Sequence, residues 1–333
     1  MPNDLTRRHF LGGTAVATVA CRSEEQEVTS ESLPAGVLPV RPLGRTGESP
    51  SILAMGCGSR LSMYEDEEQG VEALNLALDL GITYLDTAQS YGGGNSETWV
   101  GMVMAERRDQ VFLATKVRVR DYDETLRATE TSLQRLQTDR IDLLHVHSLG
   151  DQDDLDAIEA GSLRAIQELR DEGVCRFIGI TSHTYPDVLA TALQRHDFDC
   201  TQMALNAAKQ GRSRNAREAV ETPPQDSFEA VALPIAIEQN MGVLAMKATG
   251  QETLVGEGSG KSDIARLLRY VWSLPSVTAA VVGMPSLEFL RENATVARNF
   301  KPMPAGEMEE YSMEMSDANK HMLDRHFESH LDV

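Results

Sequence analysis

After residue 50, short apolar runs alternate with amphipathic segments at intervals of roughly thirty residues. The apolar runs resemble buried strands and begin near Ser51, Tyr84, Val111, Ile141, Arg176, Thr201, Val243 and Ala279. The amphipathic segments predict helices over 67–80, 96–105, 123–136, 157–172, 186–195, 226–240, 261–273 and 286–300. Ser96 and Asp123 are expected to cap the starts of their helices. Strands that are each followed by a helix indicate a parallel sheet.

Two architectures accommodate such a sheet. An open doubly wound sheet is the alternative, but no glycine-rich dinucleotide fingerprint follows the first strand. A closed (β/α)8 TIM barrel, which needs ~250 residues, is therefore the predicted α/β fold. The stretch 208–225 has no strong pattern and contains two adjacent prolines. It is expected to form a long loop after the sixth strand, over the C-terminal face of the barrel.

The composition of the 333-residue chain narrows the class of protein. Its 41% hydrophobic content is enough to bury a sizeable core. Its formal net charge of −20 argues against nucleic acid or an anionic membrane surface as a partner and is typical of a solvated acidic exterior. The four cysteines give no disulfide framework. Cys57, Cys175 and Cys200 fall within or at the start of strand-like runs, where buried thiols are expected.

The N-terminal segment differs in kind from the rest. Thr6-Arg7-Arg8-His9-Phe10-Leu11 is a twin-arginine pattern, and a short, mildly apolar run over 12–20 follows it. Because that run suits a signal-peptide core, residues 1–21 are predicted to direct export to the periplasm through the twin-arginine machinery. Cys21 is a candidate for lipidation, which would anchor the protein to the membrane. The alternative is a tail with a chance arginine pair on a cytoplasmic protein; residues 22–37 read as a flexible tether.

Four polar residues lie at or just past the carboxyl ends of three consecutive predicted strands: Asp86, Tyr91, Lys116 and His147. In a parallel barrel these ends converge on the face where barrel enzymes place their chemistry. Reduction of a carbonyl group by hydride transfer needs a proton donor at the oxygen. A free tyrosine, with a pKa of ~10, is a poor acid, but a neighbouring ammonium favours its phenolate. Tyr91 is thus the candidate acid, Lys116 its activator, Asp86 the partner of the lysine, and His147 the group that orients the oxygen.

Each of these residues, taken alone, has an ordinary structural explanation. Asp86 could cap a turn, Tyr91 could be a loop aromatic, and Lys116 could extend to water. His145 and His147 share strand parity, and His147 is preferred because it lies nearer the mouth. His145, one layer deeper, is expected to be hydrogen-bonded in the core. A zinc enzyme that uses both histidines lacks a convincing third ligand.

Six motifs resemble those of the aldo-keto reductase family, in its order, over about residues 40–293. The segment 81–92, Gly-Ile-Thr-Tyr-Leu-Asp-Thr-Ala-Gln-Ser-Tyr-Gly, followed by Asn-Ser-Glu at 95–97, is similar to the family signature. The others are the opening hairpin over 41–47 with the segment 55–58, the lysine strand over 114–117, the histidine strand over 142–147, and the segments 173–183 and 283–293. The resemblance implies that the four residues form the family's catalytic tetrad. It also implies a barrel over 38–302 opened by a β-hairpin, with a C-terminal helical tail over 303–333.

The resemblance further implies a nicotinamide dinucleotide across the barrel mouth, with no metal. Its expected contacts are Gly56, Cys57, Asp86, Ser182, His183, Gln202, Met246, Lys247, Gly283, Ser286, Phe289, Glu292 and Asn293.

Three of these positions, predicted to lie near the nicotinamide and the pyrophosphate, depart from the family pattern. His183 replaces the usual asparagine beside Ser182, and one imidazole nitrogen can donate or accept a hydrogen bond, though not both like a neutral amide. Met246 stands where an aromatic ring commonly stacks on the nicotinamide, and methionine orients that ring less rigidly. Lys247, where the family often has serine, could reach the pyrophosphate.

The last predicted helix bears on the choice of cofactor. Its start, from Gly283 to Ser286, can present amide hydrogens and a hydroxyl to a phosphate. Phe289 stands where many NADP-dependent members carry arginine, and Arg291 would point to another face of the helix. NADP(H) is favoured over NAD(H) on family habit alone.

The function that follows is reduction of aldehydes or ketones with NAD(P)H, or oxidation of the corresponding alcohols or sugars. The alternative is a regulatory module that binds the dinucleotide and turns over slowly or not at all. The complete tetrad favours the enzyme.

Overall fold

A computed structural model describes residues 37–212 and 224–328 of the chain. Eight parallel strands follow one another around a closed barrel, and the last strand pairs with the first. No predicted strand start is more than two residues from the observed one, and the predicted (β/α)8 barrel is confirmed. The strands are β1 (Leu53–Gly56), β2 (Tyr84–Asp86), β3 (Phe112–Val117), β4 (Ile141–Val146), β5 (Cys175–Ser182), β6 (Cys200–Ala204), β7 (Gly242–Met246) and β8 (Val277–Val282).

Helices surround the barrel and bury their apolar faces against the outer side of the strands. They are α1 (Glu67–Asp79), α2 (Asn95–Arg107), α3 (Tyr122–Arg135), α4 (Gln152–Ala160), α5 (Ser162–Asp171), α6 (Pro186–Arg195), α7 (Phe228–Val231), α8 (Leu233–Glu238), α9 (Ile264–Ser273), α10 (Leu287–Arg298) and α11 (Ala305–Glu328).

The predicted helix over 157–172 is in fact the end of α4 followed by α5, and the break is at Gly161. A Cβ atom at Gly161 would lie 2.2 Å from the carbonyl oxygen of Arg120. The backbone N–H of Ser162 donates to that same oxygen at 2.7 Å. The helix breaks because another loop approaches its backbone, a contact between residues far apart in sequence.

Three smaller expectations about the helices were wrong. The segment 226–240 holds two helices, α7 and α8, with a proline in the first turn of α8. Ser96 lies inside α2 instead of capping it, and its hydroxyl donates to the carbonyl oxygen of Cys57 at 2.6 Å. Asp121, not Asp123, caps α3.

The residues before β1 close the N-terminal end of the barrel. In the predicted hairpin over 41–47, the backbone N–H of Leu43 donates to the carbonyl oxygen of Glu48 at 2.8 Å. A Cβ atom on Gly44 would lie 2.3 Å from the backbone nitrogen of Gly242, so only glycine lets the turn pack this closely. Leu43 is fully buried and joins the apolar cluster inside the barrel.

The C-terminal tail contains one long helix, α11, up to the last described residue. The predicted signal at 1–21, the tether except its last residue, and 213–223 of the predicted loop lie outside the described residues. No helix within 37–212 and 224–328 is both long and apolar enough to cross a membrane.

Candidate active site

The ends of β2, β3 and β4 bring the four candidate catalytic residues together. Asp86 ends β2, Lys116 lies near the end of β3, His147 directly follows β4, and Tyr91 lies in a short 3-10 turn before α2. The Nζ atom of Lys116 is 2.5 Å from Oδ2 of Asp86 and 3.5 Å from the hydroxyl of Tyr91. The rings of Tyr91 and His147 meet edge to face, with centroids 5.5 Å apart. All four side chains therefore contact at least one other member of the set.

The ammonium of Lys116 is buried, with 1% of the residue exposed. Burial of a charge is costly unless the charge is paired and hydrogen-bonded. The buried carboxylate of Asp86 supplies the pairing, and the carbonyl oxygen of Thr87 accepts a further hydrogen bond at 2.8 Å. The ammonium also lies 4.9 Å from the centroid of the Tyr91 ring. A fixed positive charge thus sits beside the phenol, where it can stabilise a phenolate.

The turn that carries Tyr91 depends on the glycines that follow it. Gly92, Gly93 and Gly94 all have positive φ angles, of 57°, 64° and 103°. A Cβ atom on Gly94 would also lie 2.3 Å from Cζ of Arg135. The glycine run therefore fixes where the chain leaves Tyr91 and enters α2.

His145 lies within the barrel beside the tetrad. It pairs in register with Lys116, is fully buried, and its imidazole fills the space beside Gly179. The expected core location is observed, but neither ring nitrogen has a hydrogen-bond partner among the described residues. Burial, then the neighbouring Lys116 charge, holds the pKa of His145 well below its ordinary value, so this ring is neutral. No cluster of three or more His, Cys, Asp or Glu residues within 37–212 and 224–328 could hold a metal ion.

A cavity of about 170 Å³ opens beside the tetrad between the loops that follow β1, β7 and β8. Asp86 and Tyr91 form part of its wall. Five of the other residues predicted to bind the cofactor also line it: Gly56, Gln202, Met246, Lys247 and Gly283. The structure therefore joins the candidate acid to the candidate cofactor site in one space.

Two buried amides fit a bound dinucleotide. Gln202 is 2% exposed; its Nε2 lies 3.4 Å from Oδ2 of Asp86, while its Oε1 has no partner among the described residues. Asn293 on α10 is 1% exposed, and its Oδ1 also lacks a described partner. Buried polar atoms are nearly always hydrogen-bonded, so these two oxygens are suited to accept bonds from a ligand.

The remaining candidates do not line this cavity. Cys57 and Ser182 are fully buried and do not line the cavity. The Cys57 thiol packs in the core, and burial raises its pKa. The Ser182 hydroxyl donates to the carbonyl oxygen of Leu149 at 2.9 Å. His183 is also buried and lies outside the cavity wall, against the ring of Phe327.

At the start of α10, one of the predicted cofactor-binding residues caps the helix. The Ser286 hydroxyl caps the helix by accepting the backbone N–H of Phe289 at 3.3 Å. Phe289 is 45% exposed, and Glu292 is exposed on the same helix. The Ser286 oxygen is thus occupied as an acceptor, and its hydrogen can still be donated to a phosphate.

An ion pair that the sequence did not reveal spans the cavity. Arg60, after β1, donates to both carboxylate oxygens of Glu252, after β7, at 2.6 and 3.1 Å. Both residues line the cavity, and the Arg60 side chain packs over Gly283. The two charged residues are far apart in sequence, and neither belongs to a motif, so only the closed barrel shows that they meet.

A closed parallel barrel with a tyrosine, a buried lysine–aspartate pair and a histidine at its C-terminal mouth defines a barrel enzyme arranged for proton transfer. Residues 54–233 match the model of the Aldo/keto reductase family, and the chain belongs to that family.

Relatives cover most of the chain. It is 27% identical over 292 residues to the uncharacterized oxidoreductase YqkF of Bacillus subtilis, spanning 77% of this chain and 90% of the relative. It is 26% identical over 289 residues to the L-galactose dehydrogenase of Arabidopsis thaliana, spanning 79% and 89%. The holo form of the aldo-keto reductase AKR11C1 from Bacillus halodurans is similar in structure, with a TM-score of 0.67 at 25% identity over 86% of this chain and 99% of that one. The chain is thus related to oxidoreductases over nearly their full length.

Proposed function

We propose that the protein is an NAD(P)H-dependent oxidoreductase that reduces aldehydes or ketones, or oxidises the corresponding alcohols or sugars, with Tyr91 as the general acid. The observation that carries this proposal is the Tyr91 hydroxyl 3.5 Å from the buried Lys116 ammonium, at the wall of a cavity. Family membership supports the reaction class. The relationship to an L-galactose dehydrogenase supports the oxidative direction, on a hydroxyl group of a sugar.

The nicotinamide, when bound, supplies or accepts the hydride. Tyr91 donates its hydroxyl proton to the carbonyl oxygen, where negative charge develops as reduction proceeds. Lys116 stabilises the phenolate that remains, and Asp86 holds Lys116 in place through the 2.5 Å contact. His147, packed edge-on against Tyr91, orients the carbonyl oxygen by a hydrogen bond. In the reverse direction the same phenolate removes the proton of an alcohol.

The proposed cofactor contacts are with two buried acceptors that lack a described partner, with Lys247 and with the start of α10. Gln202 Oε1 would accept a hydrogen bond from the carboxamide of the nicotinamide, and Asn293 Oδ1 would accept one from the adenosine end. Lys247, which lines the cavity, and the start of α10, with Ser286, would hold the phosphates. The proposed preference is for NADP(H) over NAD(H).

A cofactor-dependent activity screen on the purified protein tests this function. Reduced NADPH or NADH is mixed with a panel of aldehydes, ketones and keto sugars, and loss of the reduced nicotinamide absorbance is followed. The reverse reaction is screened with alcohols and sugars. Oxidation of cofactor that depends on both substrate and protein supports the proposal. Tight cofactor binding with no turnover in either direction would instead favour a binding module.

A further inference from the structure

The C-terminal end of α11 contacts loops that follow three successive strands at the mouth of the barrel. After β5, the hydroxyl of Thr184 donates to the carbonyl oxygen of Phe327 at 3.4 Å. After β6, Arg212 donates to a carboxylate oxygen of Glu328 at 2.9 Å. After β7, the ammonium of Lys247 lies 5.1 Å from the centroid of the Phe327 ring. A helix that follows the last barrel unit thus reaches the rim of the candidate cofactor site.

A buried ion pair fixes this end of the helix. Lys320 and Asp324, on successive turns of α11, are 4% and 5% exposed, and their charged atoms are 2.7 Å apart. Both groups also bond to the backbone of Gly211: Lys320 donates to its carbonyl oxygen at 2.5 Å, and Asp324 accepts its N–H at 2.9 Å. Loss of either side chain would leave a buried charge without its partner, which is strongly unfavourable. The helix end is therefore anchored to the β6 loop.

The ring of Phe327 contacts two of the residues that the sequence predicts to bind the cofactor. Phe327 is 1% exposed, and its ring meets that of His183 edge to face, with centroids 5.9 Å apart and planes 69° apart. The Lys247 ammonium lies on the same ring. Lys247 itself has a positive φ of 57°, and its carbonyl oxygen accepts a bond from Asn206 at 3.1 Å, so its backbone is held in a costly conformation.

We propose that Phe327 is a positioning residue for the nicotinamide end of the cofactor site. An imidazole presents its hydrogen-bonding nitrogens in one plane, so their direction depends on how the ring is packed. The edge-to-face contact with Phe327 sets the plane of His183, and the attraction between ring and ammonium restrains Lys247. The C-terminal helix therefore contributes to the affinity for the nicotinamide half of the dinucleotide. This inference rests on the proposed function.

Calorimetric titration of folded protein tests the inference with two matched ligand pairs. The first pair is NADPH and 2′-phospho-ADP-ribose, and the second is NADH and ADP-ribose. The second ligand of each pair is the dinucleotide without its nicotinamide. Phe327→Leu keeps apolar bulk and removes the aromatic ring. It is expected to weaken binding of the preferred dinucleotide about fivefold to tenfold. The matching ligand without nicotinamide keeps the phosphates that Lys247 is proposed to meet, so its binding should weaken by a clearly smaller factor.

Two further variants complete the experiment. Met322→Ala alters an exposed side chain on the same helix and should bind all four ligands like the wild type. In a His183→Asn background, Phe327→Leu should cost clearly less dinucleotide affinity, because the ring it orients is gone. Equal weakening of both members of a ligand pair, or no weakening, would overturn the positioning role. If the wild type binds neither dinucleotide, the proposed function fails and this inference fails with it.

Discussion

Phe289 stands on the first turn of α10 with 45% of its surface exposed, beside the capping residue Ser286. A phosphate on the adenosine ribose would gain nothing from a phenyl ring, whereas a guanidinium can bind it with paired, charge-assisted hydrogen bonds. The residue at this position is therefore a candidate determinant of cofactor preference.

Phe289→Arg should strengthen binding of NADPH relative to NADH by roughly tenfold or more, since a hydrogen bond to a charged group contributes ~1.5–3 kcal/mol. Titration of both cofactors by quenching of protein fluorescence measures the ratio of the two dissociation constants. Phe289→Gln is the neutral control and should leave the ratio near that of the wild type. If the arginine variant keeps the wild-type ratio, the ribose phosphate does not bind at this turn.

Local motifs explain which site residues could be predicted from the sequence. Asp86, Lys116 and His147 lie at strand ends and Tyr91 lies in the turn that follows β2, and the barrel brings these ends together. The contacts of Phe327 could not be predicted in this way, because its partners are separated from it by large stretches of chain and belong to no periodic pattern.

At the scale of elements, Glu97 ties α2 to β3. Its carboxylate is fully buried, accepts a bond from the Thr115 hydroxyl at 2.7 Å and lies 3.4 Å from Arg135. Burial raises the pKa of Glu97, and the bonds to Thr115 and Arg135 offset this only in part. The folded chain therefore keeps this proton to a higher pH than the unfolded chain does.

The sign of the pH dependence follows from linkage. The stability contributed by protonated Glu97 is fully present below its unfolded pKa and is lost as pH rises through the raised folded pKa. Glu97→Gln should therefore flatten the decline in unfolding free energy between acidic and neutral pH. Urea unfolding at a series of pH values gives the slope. The control is Glu106→Gln, at an exposed glutamate on the same helix, and this variant should keep the wild-type slope. A Glu97→Gln variant with the wild-type slope would show that the Glu97 carboxyl does not cause the decline in unfolding free energy with pH.

Two helices also show what a hydrophobic pattern can and cannot predict about helix bounds. The helix over 186–195 was predicted with the observed bounds, because its apolar positions and its initial proline are local signals. The break at Gly161 was missed, because it results from a close approach of Arg120, and the hydrophobic periodicity of a helix cannot indicate such a contact.

At the scale of the whole molecule, the eightfold alternation of strand and helix predicted a parallel sheet, and the lack of a glycine-rich dinucleotide fingerprint after the first strand favoured the closed barrel that is observed. The contacts of the C-terminal end of α11 with the rim of the barrel were not predictable, because a helix after the last barrel unit has no neighbour dictated by the repeat.

Export remains a proposal about the whole chain. The pattern Thr6-Arg7-Arg8-His9-Phe10-Leu11 resembles signals of a pathway that carries folded cargo, so the protein should leave the cytoplasm with its cofactor bound. Changing both Arg7 and Arg8 to lysine should leave precursor in the cytoplasm with its cofactor binding intact. Cell fractionation with immunodetection measures the distribution. Wild-type protein found only in the cytoplasm at full length would exclude export.

The chemistry assigned to Tyr91 is tested most directly by single-turnover hydride transfer in Tyr91→Phe. The phenylalanine ring can keep the edge contact with His147 while the only proposed proton donor is removed. The variant should bind NADPH or NADH with near wild-type affinity and turn over a carbonyl substrate roughly 10²-fold more slowly or worse, as expected for loss of a general acid. Hydride transfer at near the wild-type rate would contradict the assignment of Tyr91 as the acid.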